Sequence, residues 1–147
     1  MATKDTKAKK AWEAARSEQM ARSFLESACY LVDLGEAKQS ISLLKRAASM
    51  GNVQAQVNLG VALAFGTGIK IDLEESRRWL KRAVSQGSSY AAYNLGVIYR
   101  KHQELRWAQY WFQRALELGD GDAQQDLDQI TPMLSAASTS ARRRRTH

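Results

Sequence analysis

The sequence predicts an all-α fold, a short array of stacked helical pairs. Three observations carry that expectation. Apolar residues recur three or four apart rather than alternating, as in Ala55, Leu59 and Leu63. Short blocks of sequence return at spacings of 36 and then 32 residues. Glycines at 35, 51, 87 and 119 stand just past the periodic runs, where helices stop.

The repeat is explicit. Gly51-Asn52-Val53-Gln54-Ala55 precedes Leu59-Gly60, and Gly87-Ser88-Ser89-Tyr90-Ala91 precedes Leu95-Gly96. Val57-Asn58-Leu59-Gly60 and Tyr93-Asn94-Leu95-Gly96 differ only at their first residue. Gly119-Asp120-Gly121-Asp122-Ala123 and Leu127 hold the same register. In the second half of each unit Trp79 aligns with Trp111 and Ala83 with Ala115. Leu43, Leu44 and Ala47 supply a degenerate first copy, and Ala28 falls where Gly60 and Gly96 fall. A small residue there lets two helix backbones approach closely.

These signals predict helices near 10–34, 37–50, 53–65, 73–86, 88–101, 104–118 and 122–134. The four-residue difference between the spacings lies in one connection. Gly66-Thr67-Gly68-Ile69-Lys70-Ile71-Asp72 is a loop, whereas Lys101-His102-Gln103-Glu104 is a tight turn. The expected organisation is a basic tail at 1–9, a helical domain at 10–134 and a disordered basic tail at 135–147. Within the domain the units cover about 20–51, 52–87 and 88–119, with a capping helix at 122–134.

Charge and composition narrow the function. The formal charge of +7 divides into +3 in residues 1–10 and +4 in Arg142 to Arg145, so residues 11–141 carry none. Nucleic-acid domains concentrate basic charge on the folded face, which this chain does not. No apolar run is long enough to span a membrane, and the N-terminus lacks the apolar core of a secretory signal. A single cysteine, Cys29, forms no internal disulfide, and a cytoplasmic protein is expected.

The quoted residues resemble Sel1-like repeats, relatives of the tetratricopeptide repeats. The middle unit supplies Ala55, Asn58-Leu59-Gly60, Gly66-x-Gly68-Ile69, Asp72, Trp79, Ala83 and Gly87 of that pattern. It departs at Leu63, where an aromatic is usual, and at Ser76, where alanine is usual. The next unit restores both with Tyr99 and Ala108 but lacks the glycine loop. The resemblance implies a right-handed α-α superhelix of about three helical pairs with end-capping helices. It also implies a protein or peptide partner held in a concave groove lined by the first helix of each pair. Those positions are Gln54, Val57, Asn58, Val61, Tyr90, Tyr93, Asn94, Val97, Arg100 and Lys101. Asp128 replaces the small glycine of the pattern, which argues against a further repeat packing on.

No catalytic set emerges from the residues. Gly66-Thr67-Gly68 lacks the longer glycine run and lysine of a phosphate loop. Asp120, Asp122, Asp126 and Asp128 lack calcium-loop spacing. Only His102 and His147 offer imidazoles, far apart in sequence, and Cys29 has no nearby histidine. The expectation is therefore no enzyme, no metal and no cofactor. The function expected is that of an adaptor, a chaperone-like protein or an inhibitory immunity protein. The alternative is nucleic-acid or anionic-surface binding by the basic ends. The periodicity leaves the oligomeric state open.

Overall fold

The computed structural model describes residues 4–144, and they form seven helices and no strand. In order these are α1 (Lys4–Asp33), α2 (Ala37–Ser49), α3 (Val53–Phe65), α4 (Leu73–Ser85), α5 (Ser89–Lys101), α6 (Leu105–Glu117) and α7 (Ala123–Arg144). The chain divides into two compact units, Met1–Trp79 and Leu80–His147, with the boundary inside α4.

The helix ends follow from the local sequence. At the close of α2, Gly51 takes φ 91°, and its N–H bonds to the Ala48 carbonyl at 3.0 Å. The Asn52 N–H then bonds to the Ala47 carbonyl at 3.1 Å. This pair of bonds satisfies carbonyls that the helix leaves open, and it requires a left-handed residue. Asn52 at once caps α3, its side chain accepting from the Ala55 N–H at 2.9 Å. The same device recurs with Ser88, which accepts from the Ala91 N–H at 3.1 Å. The tight turn after α5 makes the equivalent bonds from Gln103 to Arg100 and from Glu104 to Tyr99, with Gln103 at φ 61°.

In the first unit α1, α2 and α3 bury one cluster that includes Ala28, Leu44, Ala47, Leu59 and Leu63, and Phe24, Ile69 and Trp79 pack against it. The Ser76 hydroxyl, where alanine is usual, donates to the Gly60 carbonyl at 2.6 Å, so its burial leaves no orphan polar group. The loop 66–72 is seated by Gly68. A Cβ there would lie 2.5 Å from the Ala37 carbonyl, so this loop meets the start of α2 backbone to backbone.

In the second unit α5 and α6 approach closely at Gly96. A Cβ there would lie 2.6 Å from the Phe112 ring, which is fully buried. This is the close approach that the small residue of the repeat anticipates. Helices α1 and α7 are longer than their periodicity predicts, running through residues 4–9 and 135–144. Neither stretch contains glycine or proline, so a helix already nucleated by packing meets no breaker, and alanine, lysine and arginine propagate it past the weaker serines and threonines. The helical assignment thus covers most of both stretches expected as basic tails; residues 1–3 and 145–147, Arg145 and His147 among them, lie outside the described residues.

Candidate functional site

The ten positions expected to meet a partner fall on α3 and α5, and their surroundings divide them. On α3, Gln54 is exposed and its Nε2 donates to Asn58 Oδ1 at 2.9 Å. Asn58 Nδ2 in turn points to Cys29 Sγ at 3.9 Å. The Cys29 thiol is exposed beside this amide pair. Val61 is half-buried. Val57 is different. It is 1% exposed and offers nothing to a partner, which removes it from the expected surface. Four residues after Val53 on a helix whose neighbours Ala55, Gln56 and Leu59 are all buried, it falls on the packed side.

On α5, Tyr90 is 54% exposed, Asn94 and Val97 are half-buried, and Lys101 is exposed. Asn94 Nδ2 donates to the Tyr90 carbonyl of its own helix at 2.8 Å, which leaves Oδ1 without a partner among the described residues. Tyr93 and Arg100 have a task within the chain. The Tyr93 hydroxyl donates to Asp126 Oδ2 at 2.9 Å, and Arg100 Nη1 pairs with Asp126 Oδ1. Both side chains also flank Phe112. The Tyr93 ring lies edge-on at 5.4 Å, and the Arg100 guanidinium stands 5.5 Å from the ring centre. Asp126 is only 8% exposed, so the guanidinium and the hydroxyl compensate a buried carboxylate.

The bond to Asp126 holds the Tyr93 hydroxyl above its ordinary pKa, because its ionisation would set two anions together; burial adds to the same shift. Sequence reasoning missed this network. Its signal was present: Asp126 stands at the register of Asn58 and Asn94, a charge where the repeat carries an amide. The other acids of that cluster bond locally, Asp128 accepting from Gln124 Nε2 at 2.8 Å and Asp120 from the Asp122 N–H at 3.2 Å. Among the described residues no three histidine, cysteine, aspartate or glutamate side chains gather as a metal site requires. No described helix is long and apolar enough to cross a membrane.

Capped helical pairs that present amides and an aromatic ring along their first helices define a helical-repeat scaffold. The chain belongs to the Sel1 repeat family, whose model matches residues 36–52, 53–88 and 89–120. Repeats of this family and of its tetratricopeptide relatives are protein-interaction modules. The chain is similar to a Sel1 repeat protein from Oxalobacter formigenes, at 25% identity over 85% of this chain and 49% of that one, with a TM-score of 0.62. It is similar in fold to c5321, a protective antigen of uropathogenic Escherichia coli with an SLR fold, at 24% identity over 75% of this chain and 25% of that one (TM-score 0.65). It thus spans about half the length of the first and a quarter of the second. The first TPR of Spaghetti (RPAP3), bound to the HSP90 peptide SRMEEVD, shares the fold at 18% identity over 80% of this chain and 98% of that one (TM-score 0.67). No curated protein matches the chain.

Proposed function

We propose that this chain binds a partner protein, with the solvent side of α3 as the contact surface of the first unit and that of α5 as the contact surface of the second. It acts as an adaptor, a chaperone-like protein or an inhibitory partner and transforms nothing. The observation that carries this reading is the repeated asparagine. Asn58 and Asn94 hold one register on successive first helices, both short of full burial, and Asn94 Oδ1 is free to accept from a peptide N–H. Each unit offers its own contacts. In the first, Gln54, Asn58 and Val61 lie with Cys29 beside them. In the second, Tyr90 supplies the ring, Asn94 the amide, Val97 an apolar contact and Lys101 a cation. Of the two tyrosines expected on this surface, Tyr90 is the aromatic anchor, since the Tyr93 hydroxyl already serves Asp126. Tyrosine is favoured at such positions because a rigid ring gives contact area at small entropic cost. A cytoplasmic setting suits a chain with one exposed thiol.

The test begins with affinity capture of a partner from the native cell, followed by titration of that purified partner. Replacing Tyr90 and Asn94 together by alanine should weaken it by roughly tenfold or more, in keeping with the loss of an interface anchor. Helicity by circular dichroism should be unchanged. Unaltered affinity in that double variant sinks the reading.

A second reading has one observation in its favour. Lys4, Lys7, Lys9 and Lys10 are all exposed on the first turns of α1, and Trp12 behind them is 61% exposed. Such a helix end attracts anionic surfaces or nucleic acid. Binding to RNA or lipid that falls steeply with salt and vanishes when these lysines become glutamine would favour it over the first.

A further inference from the structure

The outer side of α6 carries chemistry that the repeat does not consume. An amphipathic helix puts its rings on the packed side, and Trp111 and Phe112 are buried accordingly. Trp107 and Tyr110 are instead 55% and 53% exposed. They belong to a chain of four rings. Tyr99 stacks on Trp107 with centroids 6.0 Å apart, Trp107 meets Tyr110 edge-on at 5.9 Å, and Tyr110 meets Trp111 at 5.0 Å. Tyr99 and Trp111 are buried, so the two exposed rings are held from both ends. Fixed rings lose little freedom when something docks on them.

Arginines and glutamines dominate the polar groups around these rings. Arg106 precedes Trp107 and lies one turn from Tyr110 on the helix surface, and it has no ion pair among the described residues. Arg114, a turn further on, is paired with Glu117 at 3.1 Å. A cavity of about 460 Å³ opens between α6 and α7, with Arg106 and Tyr110 in its wall and the amides of Gln109, Gln113 and Gln124 beside them. The one acid in that wall, Asp128, already accepts from Gln124. The surface therefore offers two rings, one uncompensated guanidinium, the Gln113 amide, and the Oε1 of Gln109, whose Nε2 donates to Thr131 Oγ1 at 3.5 Å.

We propose that this face of α6 docks an acidic peptide segment in extended form. An apolar side chain of the segment lies on Trp107 and Tyr110, a carboxylate pairs with Arg106, and its backbone bonds to the amides of Gln109 and Gln113. Charge selects this occupant. A neutral segment leaves Arg106 uncompensated, and a basic segment is repelled by it. A single nucleic-acid strand needs cations beside successive stacked bases, whereas here Glu117 engages the second arginine and Asp128 stands in the cavity wall. The site lies on a different helix from the α3 and α5 faces and does not depend on that reading.

The test titrates the full chain, by fluorescence anisotropy, against labelled Gly-Glu-Phe-Glu-Leu-Asp-Gly. Controls are the same peptide with its acids replaced by amides and a short oligothymidylate. The acidic peptide should bind about tenfold or more tightly than its amide counterpart, as a charge-assisted hydrogen bond implies. Arg106→Gln, an exposed change that leaves the core untouched, should remove that preference. Trp107→Ala should weaken both peptides, and replacing Asn58 and Asn94 should affect neither. Equal binding of the two peptides overturns the proposal, as does tighter binding of the oligothymidylate. It also fails if the asparagine variants lose the probe while Arg106→Gln keeps it. A dimer by sedimentation velocity that Trp107→Ala dissociates would make this face a contact between copies and overturn the proposal as well.

Discussion

The two units close the same repeat by different means. In the Met1–Trp79 unit the connection between paired helices is the loop 66–72, and it is fixed by shape: Gly68 rests on the backbone at the start of α2. In the Leu80–His147 unit the connection is a three-residue turn with nothing to rest, and a buried charge does the tying. Asp126 of α7 takes the hydroxyl of Tyr93 and the guanidinium of Arg100 from α5. Steric fit against backbone tolerates no added atom, whereas a charge network fails only when one member is lost. The same repeat can therefore be fragile to opposite kinds of substitution.

The largest effect should come from Gly68→Ala. It adds a Cβ 2.5 Å from the Ala37 carbonyl at a φ of 73°, with no flexible atom to give way. Combining overpacking with a left-handed alanine, we expect a loss of about 3 kcal/mol in denaturant unfolding. Hydrogen exchange should rise first in α2 and the loop 66–72. An effect spread evenly along the chain would break the contrast between the units.

Asp126→Ala should follow, at about 2–3 kcal/mol. It strands Arg100 and Tyr93, but Arg100 is 37% exposed and water recovers part of its solvation. Exchange in α7 should increase while α2 stays protected.

Tyr93 adds a pH signature. Its pKa is raised in the folded chain, so the protonated hydroxyl stabilises the fold at pH below the unfolded value, about 10. That contribution is lost as pH climbs through the folded value. Tyr93→Phe should cost roughly 1 kcal/mol at neutral pH and should flatten the decline of stability in alkali. An unchanged alkaline slope would remove the bond to Asp126 as its cause.

The smallest change should be a gain. Gln103 adopts φ 61° in the tight turn, a region that costs a side chain about 1 kcal/mol. Gln103→Gly should raise stability by up to about 0.5–1 kcal/mol, less whatever the added freedom of the unfolded chain takes back. A loss on thermal melting would show that the Gln103 side chain holds the turn in place.

Most of the fold was legible because its determinants are local. Gly51 with Asn52, and Gly87 with Ser88, mark a stop and a start within two residues, and the observed helix boundaries follow them. The outer limits of α1 and α7 were less legible, since neither the lysine-rich start nor the Ser/Ala/Arg-rich end carries a glycine or proline stop signal. Pro132 falls inside α7 and deprives the Asp128 carbonyl of its usual helical donor without ending the helix. The candidate site was legible as a register and obscure in its details. Helical spacing places Val57, Tyr93 and Arg100 within reach of one side, but only tertiary packing buries the first and hands the others to Asp126. That last pairing joins residues 26 and 33 positions apart, beyond any periodic pattern.

The bond from α7 back to α5 also governs how this molecule can be dissected. A fragment cut after α6 would end at a point where its helices look complete, yet Tyr93 and Arg100 would face solvent with no acid to answer them. The smallest portable form of the second unit must therefore carry the chain at least through Asp126. Its border is drawn by an ion pair rather than by the repeat.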